Sequence, residues 1–407
     1  MNVEKYLFNI ASKKIKFGLS RTIELLKACN NPEKDTLSIQ VVGTNGKGSV
    51  SAFLAKPLVD KGYKVGLYTS PHLVDYKERI RINFNKISEN SIKKFLKKYS
   101  VQIEQIKPSF FELMTAIAVW YFKHKKVDIA VLETGLGGRL DSVTACDNKY
   151  LLFTSISLDH QNILGSSINK IAKEKGGAII NSKQKCIGIN QIKKIENVLI
   201  KEAKKVNNNI KFISDECNPF FGEKFKYLKG KHQHLNALLA YKALEELIQN
   251  KTIKINRADI IKSFKETQWP GRFQIIKKTP AVIYDVAHNK EGLNSFIETF
   301  KKLEYKERKI LILAFEDKKQ IKDTIRKFKN IFDCIVCTET NIRKSMPANQ
   351  IFGFIESNKA IIIKDVDKAI KYAFNLYKED VVISIVGSHF LAPYIDNYYE
   401  NCFAIDK

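Results

Sequence analysis

A chain of 407 residues, 44% of them hydrophobic, is long enough for two or three domains with substantial cores. It carries no apolar run long enough for a bilayer, no signal-peptide layout in residues 1–26, and seven cysteines without a scaffold pattern, so a cytoplasmic protein with no membrane partner is expected. The formal charge is +26, but 60 of the 69 basic residues are Lys, scattered over every segment; with so little Arg to read phosphates or bases, a nucleic-acid partner is not favoured, while small anionic substrates would gain from the field.

Strand and helix patterns alternate along the chain, which argues for parallel sheets covered by helices. Residues 1–26 mix Lys with apolar positions and read as one amphipathic helix. Residues 37–42 form a short apolar strand that ends in a Gly-rich loop. A helix follows from about Ser49, and Pro57 should kink or interrupt it. Residues 64–68 are the next strand. Residues 110–122 are apolar nearly all round, as in a buried helix. Residues 127–132 and 150–156 read as buried strands, and residues 193–205 and 235–247 as helices.

A second unit begins after Trp269-Pro270-Gly271-Arg272, whose Pro and Gly mark a hinge region. Its strands are expected at residues 281–284, 309–314, 332–337 and 381–386, with helical stretches between. Cys334 and Cys337 form a lone C-x-x-C within one of them. Residues three apart on a strand point to opposite faces, which disfavours zinc or redox work. The fold class is therefore α/β. A larger N-terminal P-loop domain with a parallel sheet covers residues 1–272, and a smaller Rossmann-like domain covers residues 273–407.

Gly43-Thr44-Asn45-Gly46-Lys47-Gly48-Ser49 lies between a strand and a helix. Small residues let backbone N–H groups approach phosphate oxygens, the helix start adds a favourable dipole, and Lys47 can neutralise β/γ charge. An ordinary Gly-rich bend has the same composition, but the flanking elements and the Lys favour phosphate. Gly48 follows the Lys where a Ser or Thr usually offers a magnesium hydroxyl, so Ser49 or another residue must supply it. Ser70, at the carboxyl end of the next strand, is a candidate, although Ser-Pro is also a common turn. Glu133 ends a further strand and is a natural hard ligand for magnesium, or else caps the turn Thr134-Gly135. Asp159-His160 ends another, with His an unusual magnesium ligand.

Other positions are weak alone. Lys175, in Glu174-Lys175-Gly176-Gly177, reads by composition as a surface residue. His232 and His234 resemble a metal pair, but hydrogen bonding to a ligand by Gln233 and Asn236 is the better reading. Arg272 offers a guanidinium suited to phosphate. Asp285 offers an acceptor for ribose or for a partner side chain.

Taken in order, these segments resemble the folylpolyglutamate synthase / dihydrofolate synthase family, a branch of the Mur-type ligases. GTNGKGS, TSPHL, ERIRI, ETGLGGRLD, SLDH, EKGG, HQxxN, PGR and YDVAHN all occur between Phe17 and Asn289. Ile385-Val386-Gly387-Ser388 is a weaker late echo. The resemblance implies that Thr44, Asn45, Gly46, Lys47, Gly48 and Ser49 hold the ATP phosphates. Ser70, Glu133 and His160 would bind magnesium, and a carbamylated Lys175 would help hold a second ion. Lys47, Glu133, His160 and Lys175 then form the catalytic set. Asn236, Arg272 and Asp285 would contact ATP, with His288 assisting. The pterin-bearing substrate would lie near Phe17-Gly18-Leu19, Ser109-Phe110-Phe111 and Leu140-Asp141-Ser142. Gly177 and Ser142 stand where the family often has Ala, and Pro57 is unexpected in the first helix.

The expected reaction is ATP-dependent addition of L-glutamate to dihydropteroate or a reduced folate through an acyl phosphate, by a monomer whose two domains close about Arg272. The alternatives are a cell-wall Mur-type amino-acid ligase and, from another class, a P-loop ATPase acting on nucleic acid.

Overall fold

The computed structural model describes residues 2–11, 18–215, 219–220, 222–316, 321–341, 345–376 and 380–405. Two compact units share the chain: Met1–Glu223 with His234–Thr267, and Lys224–Gln233 with Gln268–Lys407. Each is built round its own sheet.

In the first unit the strands are β1 (Leu37–Val42), β2 (Val65–Tyr68), β3 (Ile80–Ile82), β4 (Asn85–Lys86), β5 (Ile129–Glu133), β6 (Tyr150–Phe153), β7 (Lys185–Ile189) and β8 (Ile210–Ile213). They lie in the order β4-β3-β2-β5-β1-β6-β7-β8. The pairs from β2 to β8 are parallel, and β3 and β4 extend the β2 edge antiparallel. The central strands are apolar without alternation because both faces are covered. Ser38 and Gln40 are the polar exceptions in β1, and Gln40 is the larger. Its amide is buried but donates to Thr134 Oγ1 at 3.0 Å and Thr144 Oγ1 at 2.9 Å, and accepts from Asn148 at 3.1 Å. Those bonds offset the cost of burying it and tie the loop after β5 to β1.

The helix Lys47–Asp60 follows β1 and is buried along most of its length. It continues without interruption through Pro57, so the expected break does not occur. Pro57 deletes one N–H within a turn of the helix end, and burial against the sheet holds the segment in place. Phe53 on this helix meets Phe264 of helix Arg257–Lys265 at a centroid distance of 5.0 Å. Burying a side chain of that size contributes about 2–3 kcal/mol.

Helix Phe110–His124 is apolar nearly all round, as its sequence predicts. Ser109 and Glu112 close a capping box at its start. The N-terminal segment differs from expectation: it forms two helices, Val3–Ala11 and Ser20–Ala28. Gly18, at φ 125, precedes the second; that backbone conformation suits glycine and marks the break.

In the second unit the strands are β9 (Gln274–Lys278), β10 (Ala281–Asp285), β11 (Arg308–Leu313), β12 (Cys334–Cys337), β13 (Ala360–Ile362) and β14 (Val381–Val386), in the order β13-β12-β11-β14-β10-β9. Only β9 runs antiparallel, at an edge. Cys334 and Cys337 sit within β12, and burial raises both thiols, which suits a structural role. Among the described residues no helix is long and apolar enough to cross a membrane.

Candidate active site

The chain turns sharply after β1. Gly43 passes so close to β6 that a Cβ there would meet Thr154 Oγ1 at 1.7 Å. Gly46 has φ 88, and its Cβ would lie 2.4 Å from Asn236 Oδ1. Both a left-handed backbone and a close approach therefore demand glycine at position 46. The loop is fastened to the segment after β6. Thr44 N donates to Ser155 O at 2.7 Å, Ser157 N donates to Thr44 Oγ1 at 3.1 Å, and Asn45 Nδ2 donates to Ser157 Oγ at 3.4 Å. Lys47 Nζ donates to Thr44 O at 3.2 Å, which folds the ammonium group back over the loop. No side chain caps the helix that begins at Lys47. Its first-turn N–H groups thus lack intrahelical acceptors, an arrangement suited to phosphate.

Neighbouring strand ends add carboxylates. Glu133 is buried at the end of β5, in register with Val41 of β1. Its Oε2 accepts Ser70 N–H at 3.1 Å, so β2 and β5 bring these two expected residues together. After β6, Asp159 is buried and accepts the His160 N–H at 2.8 Å. His160 itself is exposed, at φ 48.

Lys175 is the residue that composition misreads. It lies on helix Ile168–Gly176, only 4% exposed, and Nζ donates to Gly43 O at 2.6 Å. Burial lowers its pKa to about 7, helped by the charge of Lys47 and opposed by Asp159 and Asp141. Asp141 is pushed up to about 6 by burial, although backbone donors and Lys47 pull the other way. Its oxygens accept Leu136 N–H at 2.8 Å and Val143 N–H at 3.0 Å, which caps the turn Ser142–Cys146. Lys47, Lys175, Asp141 and Asp159 thus form one electrostatic cluster. Asp159 was outside the expected ligand set, although its strand-end position after Ser157 was a usable signal.

The residues expected around a pterin group partly converge. Phe17 lies outside the described residues. Gly18 and Leu19 are half-buried ahead of helix Ser20–Ala28, and Arg21 of that helix pairs with Glu112 at 3.0 Å, next to Ser109. Phe110 carries the Arg79 guanidinium 5.1 Å from its ring centroid. Phe111 packs on Tyr68 at 5.6 Å and so closely over Gly135 that a Cβ there would meet its ring at 2.5 Å. Ser142 Oγ lies 2.6 Å from Thr115 Oγ1, which also donates to Phe111 O at 2.9 Å. Leu140 is 45% exposed.

In the second unit Arg272, Asp285 and His288 gather at the end of β10. Asp285 accepts Phe273 N–H at 2.9 Å and Ala287 N–H at 2.8 Å. Burial pushes its pKa up to about 6, against the Arg272 charge. His288 Nδ1 lies 2.9 Å from Val286 O, and its ring is 5.7 Å from that of His389, a residue the sequence pattern did not single out. His232 Nδ1 meets Ser295 Oγ at 2.6 Å in this unit, whereas His234 belongs to the first unit, where its Nε2 meets Glu223 O at 2.9 Å. Among the described residues no three His, Cys, Asp or Glu side chains converge as a metal site.

A phosphate loop on a parallel sheet, with strand-end carboxylates, a buried Lys and a separate Rossmann-like unit, defines an ATP-dependent ligase of the Mur type. In agreement, residues 271–389 match the Mur ligase, glutamate ligase domain family. The chain is 30% identical over 400 residues to the Bacillus subtilis dihydrofolate synthase/folylpolyglutamate synthase, covering 92% of this chain and 93% of that one. It belongs to the dihydrofolate synthase/folylpolyglutamate synthase family. Its fold matches Escherichia coli FolC in complex with DHPP and ADP with a TM-score of 0.84 and 27% identity, over 97% of this chain and 96% of that one. It also matches the Thermotoga maritima folylpolyglutamate synthase with a TM-score of 0.80 and 28% identity, over 98% and 96%.

Proposed function

We propose that this chain adds L-glutamate to dihydropteroate, to reduced folates, or to both, using ATP and divalent metal. The observation that carries the reading is the contact of Lys47 and Lys175 with one glycine-rich loop, beside strand ends that bear the Ser70–Glu133 pair. The similarity to FolC solved with ADP and DHPP supports nucleotide and pterin as ligands.

In this reading the ATP phosphates lie along Thr44–Ser49, with Lys47 against the terminal group. A carboxylate of the pterin substrate attacks the γ-phosphorus in line, ADP leaves, and an acyl phosphate forms. The glutamate amine then attacks the acyl carbon, and phosphate departs as the amide forms. Ser109, Phe110, Phe111, Leu140, Asp141 and Ser142, with Phe17–Leu19, would hold the pterin end. Asn236 would support the nucleotide loop, and Arg272, Asp285 and His288 would bind the nucleotide from their own unit.

The donor set suits magnesium. Glu133 and the Ser70 hydroxyl are hard oxygen donors, and His160 is a further ligand in this reading. Lys175 has an amine of pKa about 7, so a large neutral fraction exists to take up CO2, releasing one proton and leaving a carbamate oxygen donor. Two bound magnesium ions would neutralise charge on the transferring phosphoryl group. Lys47, held by Thr44 O, would orient the phosphate, and the Ser70 N–H keeps the buried Glu133 carboxylate fixed.

The test is an assay of purified protein with ATP, magnesium, labelled glutamate and either dihydropteroate or tetrahydrofolate. Labelled amide product and matching ADP are expected, and Glu133→Ala should abolish both. Absence of product with either pterin overturns the reading.

A further inference from the structure

We infer that Arg139 is a positioning residue that fastens the Lys175-bearing helix to the loop after β5, and so holds the Lys175 amine at the mouth of the phosphate loop. This rests on the reading of Lys175 just given.

Three features carry the inference. First, Arg139 binds the last turn of helix Ile168–Gly176 from several directions. Its backbone N–H donates to Glu174 O at 2.8 Å, Nη2 donates to Lys173 O at 3.0 Å, and Nε reaches Glu174 Oε1 at 3.4 Å. Lys173 O also accepts the Gly177 N–H at 3.0 Å, so the guanidinium is a second donor there, and a cation at a helix end complements the dipole. Second, the same guanidinium reaches the helix behind. Nη2 donates to Glu202 Oε2 at 2.6 Å, on helix Lys193–Lys204, while Lys205 Nζ takes the other Glu202 oxygen. Glu202 is 6% exposed, and burial alone would raise its pKa; the bonds from Lys205 and Arg139 reverse that and lower it. The carboxylate therefore stays charged as a fixed anchor.

Third, glycines make the approach possible. A Cβ on Gly138 would sit 2.6 Å from Lys175 O, and one on Gly177 would sit 2.6 Å from Arg139 Cβ. The loop backbone thus lies directly against the residue whose side chain must reach Gly43. Lys cannot replace Arg fully here, because one ammonium cannot span Lys173 O, Glu174 and Glu202 together. Among the described residues, the guanidinium's hydrogen bonds and ion pairs go to Lys173, Glu174 and Glu202. Its effect should pass through the position of Lys175.

The experiment compares Arg139→Met, Arg139→Lys and Lys175→Ala with the unaltered protein. Turnover is followed as ADP release, folding as the melting temperature, and the carbamate by NMR in 13C-bicarbonate, assigned by its loss in Lys175→Ala. For Arg139→Met the expected result is a kcat lower by about tenfold or more, with KM for ATP within about twofold. The carbamate should need more bicarbonate to form, added bicarbonate should recover part of the rate, and Arg139→Lys should fall between. A folded Arg139→Met protein with unaltered kcat and bicarbonate dependence overturns the inference. If the unaltered protein gives no Lys175-dependent carbamate signal, the carbamate reading fails by itself. Arg139 is then judged on kcat: a fall at constant KM, partly rescued by Lys, supports positioning, and no fall refutes it.

Discussion

The Lys175 ammonium nitrogen lies 2.6 Å from the Gly43 carbonyl oxygen, which joins a helix following β6 to the residue that opens the phosphate loop. A buried Lys so placed is costly unless it serves the site, because burial disfavours its charge. Replacing it with Ala should lower turnover by about 100-fold or more, a typical cost for losing one preorganised charged group. Short carboxylates such as acetate should restore part of the rate by standing in for the carbamate oxygens. Steady-state ADP release, with and without acetate, checks this; full activity in the Ala variant would rule out the assigned role.

Gly46→Ala places a methyl group 2.4 Å from Asn236 Oδ1 at a residue with φ 88. Affinity for ADP should fall by about tenfold or more while the protein still folds. Adding Asn236→Ala removes the collision but not the backbone penalty, so the double variant should recover only part of the affinity. Titration calorimetry with ADP measures both. Complete recovery would show that the backbone conformation is not limiting.

Gly135→Ala should act on the pterin side alone. Its methyl group would displace the Phe111 ring, which has an atom 2.5 Å from that position, and disturb the packing of that ring on Tyr68. KM for the pterin substrate should rise by about fivefold or more, with KM for ATP within about twofold. Equal changes in both constants would place Phe111 outside the pterin pocket.

Asp285 gives a pH signature. Its folded pKa of about 6 lies above the usual carboxylate value of about 4, because burial outweighs the Arg272 charge. Between those values the folded chain holds a proton that the unfolded chain has lost. This carboxyl therefore makes the protein less stable as pH rises through that window, the reverse of a salt-bridged Asp. Asp285→Asn should flatten the dependence. Melting temperatures from pH 4 to pH 7 for both proteins decide the point, and identical slopes count against it.

Much of this arrangement was legible in the chain. Residues 37–42 and the glycines after them specified a strand, a tight loop and a helix start. Glu133 and Ser70 were legible as strand-end groups because apolar runs precede them. Edge strands were not legible. β8 and β9 carry exposed Lys at Lys211, Lys277 and Lys278, as edges commonly do, so their apolar signal is weak. The break between the first two helices carries little sequence signal, because the periodic mixture of Lys and apolar residues continues across it.

The sequence by itself determined the α/β class, the phosphate loop and the chemical types available at each strand end. Those depend on local backbone preference and on short-range periodicity. Tertiary structure alone decided which distant groups meet: Asn236 over Gly46, Lys175 on Gly43, and Arg139 between Lys173 and Glu202. A lysine in a polar helix carries no local mark of burial. Its environment is made by loops and helices far along the chain, and only their packing lowers its pKa and directs it to the phosphate loop.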